Sequence, residues 1–402
     1  MRIYLPFAFA YFISYALRTI NAVVSPELTR ELSLGPAALG LLTSAYFLAF
    51  CAVQLPNGLL LDRFGPRRTE AALLLFTALG CILFATGDSL ASLAVASAFI
   101  GLGVSAGLMA SLKAISLWFP AERQASVSNW IMVAGSLGAL STTIPVEILI
   151  QHVNWRLMFY GMSAAALLAS AYLFFTVPDP QKTTRGTSLA EQWRGVAALF
   201  RSARFWWIVP IASLPMAGYM AIQSLWAVPW MMEVEGLTRA QAASRLFVMA
   251  IAQLLGYFTL SIAVRTLARR GVEPRHLFVG GYALYILGFA GLVIPTPFGF
   301  FPSWMMMALG ATVNVMGFTI FTEGLPKELF GRAATALNQI LFALCFLLQW
   351  GIGAVVEGTM ALASVPKPSA FVFAFGCVML AQTVAYAWFL WGWRRHSASS
   401  NR

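Results

Sequence analysis

Pro56-Asn57-Gly58-Leu59-Leu60-Leu61-Asp62-Arg63-Phe64-Gly65-Pro66-Arg67-Arg68 ends a near-continuous apolar run in one acid and three arginines. Charges this dense do not stay in a hydrocarbon layer, so the stretch marks where the chain leaves that layer and turns back. Gly58 permits close helix approach, and Asp62 sits where the N-terminus of a second helix could use its charge. Gly65-Pro66 breaks the chain before Arg67 and Arg68.

Working outward, 59% of the 402 residues are hydrophobic and 10% charged, with mean hydropathy +0.76. No soluble domain of ordinary composition approaches these values, so the chain reads as an all-α polytopic protein of the lipid bilayer. A net charge of +11 would suit a nucleic-acid partner. The basic residues fall instead in short loops between apolar runs, which marks topology and argues against nucleic acid. Cys51, Cys81, Cys345 and Cys377 lie within apolar segments without Cys-x-x-Cys spacing. They indicate neither a disulfide framework nor a metal site.

Runs long enough to span a membrane, about 20 residues each, fall at 4–25, 37–57, 69–88, 91–118, 125–150, 155–177, 205–231, 241–267, 276–295, 300–325, 333–357 and 369–393. The expectation is twelve helices: a six-helix bundle over 1–177, a linker at 178–204, a second bundle over 205–393 and a tail at 394–402. Met1-Arg2-Ile3-Tyr4 is a short basic start without a small-residue cleavage site, which predicts a retained first helix. Of the 26 lysines and arginines, nineteen fall on the side of the termini and linker and five on the other, with Arg18 and Lys113 inside helices. By the positive-inside rule both termini face the cytoplasm. A single offset of 206 relates Glu27 to Glu233, Arg63 to Arg269, Gly65 to Gly271, Pro120 to Pro326 and Glu122 to Glu328, so the halves read as parallel copies. Asp62 has no acidic counterpart, since position 268 is Ala268.

The Gly58-to-Arg68 loop, after the second of twelve spans, resembles the loop between helices 2 and 3 of the major facilitator superfamily. The resemblance covers nearly the whole chain at the level of architecture. It implies two six-helix pseudo-repeats around a central cavity, transport by alternating access and no cofactor. It also implies a gating role for Gly58, Asp62, Arg63, Gly65, Arg67 and Arg68, with Asp62 facing the start of helix 11 near Gly331-Arg332-Ala333 and Arg332 or Arg123 adding charge. Efflux members usually carry a Gly-Pro pair late in helix 5. Here Pro145 follows Ile144, which lowers the case for drug efflux.

Two cations fall inside the spans, where each costs about 3 kcal/mol or more. Arg18 is about 13 residues into helix 1, roughly 20 Å deep in a core about 30 Å thick. Tyr11, Tyr15, Arg18 and Asn21 share one helical face, which should line the cavity. Tyr15-Ala16-Leu17-Arg18 is similar to a Tyr-x-x-Arg element of organic-anion members, which implies anion binding at Arg18. The alternatives are an arginine that snorkels to the outer headgroups or pairs with Glu147. Lys113 lies near the cytoplasmic end of helix 4, where it either reaches substrate or snorkels. Together the two cations favour a small organic anion.

Tyr219, Gln223, Trp226 and Trp230 on helix 7, and Asn338, Phe342, Cys345 and Gln349 on helix 11, form faces that either line the cavity or pack. Glu147 at the outer end of helix 5 is a candidate for proton coupling, or else half of an ion pair. His152, His276 and His396 fall in loops or the tail, and no nucleophile, metal or phosphate motif appears, so no enzyme is expected. The reading is a monomeric, proton-coupled importer of an organic anion in a bacterial inner membrane, the bacterial assignment resting on compact loops and the lack of Asn-x-Ser/Thr. Alternatives are a proton-coupled exporter of drugs, metabolites or siderophores, and a non-transporting receptor.

Overall fold

Gly65 adopts φ 78°, a left-handed conformation that costs an L side chain strain but glycine little. It alone reverses the chain, because the second helix runs on to Phe64 and Pro66 opens the third, where a missing N–H is harmless. The turn is therefore one residue, narrower than the Pro56–Arg68 stretch that announces it. Gly271, 206 positions on, has φ 79°.

The structure is a computed structural model that describes residues 2–178, 194, 197, 199–268, 270–294, 299–323 and 330–400. The expected linker lies largely outside them, as do the side chains of Gly331 and Arg332. Among the described residues twelve spans result: α1 Tyr4–Leu32, α2 36–64 with an interruption at Val53, α3 66–86, α4 Leu90–Trp118, α5 Glu122–Ile150 and α6 Trp155–Thr176. They continue as α7 Ala203–Glu233, α8 Arg239–Ala268, α9 Pro274–Val293, α10 Phe300–Thr322, α11 Phe330–Ala363 and α12 Lys367–Ser400. The described residues hold no strand, because a chain crossing lipid must satisfy its backbone within each span.

Pairing follows the repeat. In the first half α1 packs on α5, α2 on α4, and α3 on both α4 and α6. In the second, α7 packs on α11, α8 on α10, and α9 on both α10 and α12. Small residues make the closest crossings possible, since apolar helices in lipid gain from tight contact rather than from leaving water. Gly80 lies against Ile100 across α3 and α4, and Gly288 against Ser303 and Met307 across α9 and α10. The fourth helix of each half also breaks at nearly the same place, between Gly103 and Gly107 and between Ala311 and Asn314.

The halves meet mainly through α2 against α11, with the related pair α5 against α8 and the central pair α1 against α7. At Gly40 a Cβ would stand 2.8 Å from the Gln349 carbonyl and 3.2 Å from the Trp350 Cα, both backbone atoms that cannot yield. Gly40→Val should therefore lower stability by about 1–3 kcal/mol, read as a fall in the melting temperature of the purified protein. Gly161, which has nothing within 4 Å, serves as control: Gly161→Val should melt with the wild type.

Candidate functional site

Between the halves, the guanidinium of Arg18 is enclosed by aromatic rings from three helices. Its Cζ lies 4.5 Å from the ring centroid of Tyr15 on α1, and 5.6 Å from those of both Phe50 on α2 and Phe342 on α11. Phe50 and Phe342 close on each other at 4.0 Å across the boundary between the halves. The phenols of Tyr46, Tyr15 and Tyr11 face the guanidinium electrostatically. Among the described residues no carboxylate pairs with Arg18, and its buried Nε has no hydrogen-bond partner.

Cation–π contact stabilises a guanidinium in an apolar setting but leaves its in-plane N–H groups directed outward. That fork fits a carboxylate or sulfonate, which accepts two parallel hydrogen bonds. Asn21, one turn further along α1, is buried with its Oδ1 unpartnered. From α8, Tyr257 comes within electrostatic range of Tyr15 and Tyr11. Tyr46 and Tyr257 were not singled out from the sequence, although Gln253 and Tyr257 lie four apart on an otherwise apolar stretch of α8, a polar face of the same kind as that on α1.

Other expected site residues lie elsewhere. The Lys113 ammonium pairs with Asp62, so this cation is held at the α2–α4 contact within the first half. On α7, Tyr219 and Trp226 are buried, and the Trp226 indole N–H donates to the Gln349 carbonyl at 2.9 Å. The Gln349 side chain accepts from Ser224 at 2.9 Å. A π-helical segment, Ile222–Trp226, explains the departure: its extra residue per turn rotates the expected i, i+4, i+7 face, so the tryptophans pack on α11 and α12. Gln223 and Asn338 remain half-buried.

Of the remaining gating candidates, Gly58 is half-buried in α2. Arg63 lies over Phe64 at 5.2 Å, and Arg67 over Phe174 of α6 at 4.9 Å. Arg68 is exposed at the start of α3, and Arg123 is exposed at the start of α5.

At the end of the bundle away from the termini, two carboxylates join the halves. Arg239, the first residue of α8, pairs with Glu27 of α1, and its Nε lies 3.5 Å from Glu147 of α5. Glu147 also accepts from Gln151 at 2.8 Å. At the related α2–α11 contact, the Glu357 carboxylate accepts the Ala37 N–H at 3.0 Å and so caps the N-terminus of α2.

The Major Facilitator Superfamily model matches residues 7–349, and the chain belongs to that family. It is 27% identical over 179 residues to a probable sulfoacetate transporter of Cupriavidus necator, covering 44% of this chain and 42% of that protein. It is 30% identical over 173 residues to a hexuronate transporter of Escherichia coli, covering 42% and 40%. The matched region thus spans about two fifths of either relative's length. The fold is similar to that of a D-xylose–proton symporter, with TM-score 0.75, 14% identity, and coverage of 96% of this chain and 97% of that one.

Arg239→Gln removes the shared partner of Glu27 and Glu147. At the partial exposure of Arg239 and Glu27, that should shift the balance by about 1 kcal/mol, toward states open at this end. A cysteine placed at buried Val146, with the four native cysteines replaced, should then react about fivefold faster with a membrane-impermeant thiol reagent. An unchanged rate would mean the cluster does not hold the halves shut.

Proposed function

We propose that the chain carries a small carboxylate- or sulfonate-bearing organic anion across the cytoplasmic membrane by alternating access, as a monomer and with import driven by protons. The observation that carries this reading is Arg18, a guanidinium without a counter-carboxylate at the junction of the two halves. The cost of placing it there is offset if a ligand supplies the missing anion. The similar proteins, a probable sulfoacetate transporter and a hexuronate transporter, both concerned with small organic anions, support the same class.

The two halves act as the moving bodies. The bias of lysine and arginine supports cytoplasmic termini, and with that orientation the Arg239 cluster and the Glu357 cap would form the outer gate. An anion entering from outside would meet Arg18 after these contacts part, and would leave toward the cytoplasm after they re-form. Phe342 reaches Arg18 from the second half, so ligand at Arg18 would sense the distance between the halves. Ligand binding at that boundary couples to the gate only if the two states hold the anion differently.

Proteoliposomes loaded with a hexuronate or with sulfoacetate provide the test, read as counterflow of the labelled compound. Arg18→Ala should weaken apparent affinity about ten- to hundredfold, the scale of a lost charge-assisted hydrogen bond. Arg18→Lys should fall between, since it retains charge without the planar fork. Wild-type affinity in Arg18→Ala would overturn the assignment. Binding without counterflow would instead favour a receptor, and acceleration only by an outward-directed gradient would favour export.

A further inference from the structure

Glu70 lies in the second turn of α3, close to the Arg67-Arg68 pair, and a carboxylate so near a charged turn reads as a solvated surface group. The structure places it inside the first half instead. Only 1% of its surface is exposed, and neither Oε1 nor Oε2 has a hydrogen-bond donor.

Its surroundings explain the isolation. The carboxyl lies over the break in α4: a Cβ built on Gly107 would stand 3.4 Å from Glu70 Oε1, 3.6 Å from the Tyr11 ring and 3.8 Å from Ser14. The absent side chain of Gly107 is thus the space that the carboxyl and α1 share. Charged groups on the adjoining elements are engaged elsewhere or, like Arg68 of α3, exposed. Lys113 of α4 is held by Asp62 of α2, and Arg67 of α3 lies over Phe174 of α6. Tyr160 and Tyr172 of α6 are exposed on its outer surface. From α1, Tyr11 faces the carboxyl but gives its hydroxyl hydrogen to the Met132 sulfur. Arg18 lies seven residues beyond Tyr11, about 10 Å along the helix axis.

A carboxylate without a donor or cation is strongly disfavoured in such a site, and a neutral acid is accommodated. We propose that Glu70 is the proton-binding site of the transport cycle. Hydronium gives its proton to a Glu70 oxygen and leaves as water. The reverse transfer, to water on the other side, follows when α1 and α4 part around Gly107. This inference rests on the proposed proton-coupled transport and specifies which group carries the proton.

Glu70 and Arg18 communicate through a short aromatic relay. Tyr11 flanks the carboxyl and packs edge-on against Tyr15 with centroids 5.0 Å apart, and Tyr15 lies beneath the guanidinium. With Glu70 neutral, the Arg18 charge is free to hold an anion. With Glu70 ionised, its negative charge in the same low-dielectric half opposes the incoming anion. Proton and anion therefore favour each other's binding, as linkage requires of coupled ligands. Glu147 is placed differently, since it already has Arg239 and Gln151 as partners.

Two measurements test the assignment. The first needs no substrate: infrared spectra of the purified protein across a pH series should contain the carbonyl stretch of a protonated carboxyl, which disappears at alkaline pH and is missing from Glu70→Gln. A wild-type spectrum matching that of Glu70→Gln throughout would overturn the proposal. If Glu70→Gln does not assemble, Glu70→Asp should move the band, and an unmoved band overturns it equally.

The second measurement uses proteoliposomes with a hexuronate or sulfoacetate as probe. Accumulation driven by a pH gradient should fall about tenfold or more in Glu70→Gln, while exchange at equal pH declines far less, because a permanently neutral side chain cannot release a proton. Accumulation at the wild-type level would exclude Glu70 as the coupling site. Should the wild type move neither probe, the anion reading fails, and the infrared titration alone decides whether Glu70 binds a proton.

Discussion

A charge enclosed by apolar helices must be paired, hydrated or used, and the architecture around the cavity follows from how that requirement is met. Asp62 and Lys113 meet it by pairing across α2 and α4. Arg18 meets it only in part, since aromatic faces stabilise the cation but supply no negative charge. Glu70 has neither donor nor cation. On the proposed reading, the first half holds one group to accept an anion and one to hold a proton, with two tyrosines between them.

The cross-half contacts obey the repeat more strictly than the sequence does. Contact of α2 with α11 is the counterpart of α5 with α8, and each ends in a carboxylate near the first residues of α2 or α8. A backbone cap at Ala37 and an ion pair at Arg239 are chemically unlike, yet both use the same feature of a helix start, its excess of positive potential. Glu147 is buried but Arg239 keeps partial exposure, so the ion pair is not fully enclosed and a closure that must part repeatedly is not made too stable to leave.

Much of this was legible in the sequence. The twelve spans follow from apolar run length, and the reversal at Gly65 from the adjoining Pro66 and the cluster of arginines. The offset of 206 relates Gly65 to Gly271, and the two share a left-handed backbone. What escaped has physical causes. The face on α7 was drawn with 3.6 residues per turn, and the π segment at Ile222–Trp226 breaks that period without an obvious sequence signal. Lys113 was read apart from Asp62 because the pair spans 51 residues and depends on how α2 crosses α4. Nothing in the sequence singles out Glu70, since a carboxylate beside two arginines looks solvated, whereas the fold buries it.

The same offset shows how the two halves have divided their chemistry. Arg18 corresponds to Ser224, Asp62 to Ala268, Glu70 to His276 and Lys113 to Thr319. Ser224 is used to hold Gln349 of α11, and His276 packs on Trp393 of α12 with ring centroids 5.1 Å apart. Every charged group with a place in the anion or proton scheme thus has a partner in the second half that is neutral, packed, or both. Such asymmetry relieves that half of the desolvation cost of internal charge and lets it serve as an aromatic wall, from which Phe342 reaches the Arg18 guanidinium. Relative motion of two chemically unlike halves then changes the environment of one charged site, rather than moving ligand between two sites. Under the proposed scheme, that is an economical arrangement, because proton and anion would each be exposed to alternate sides in turn.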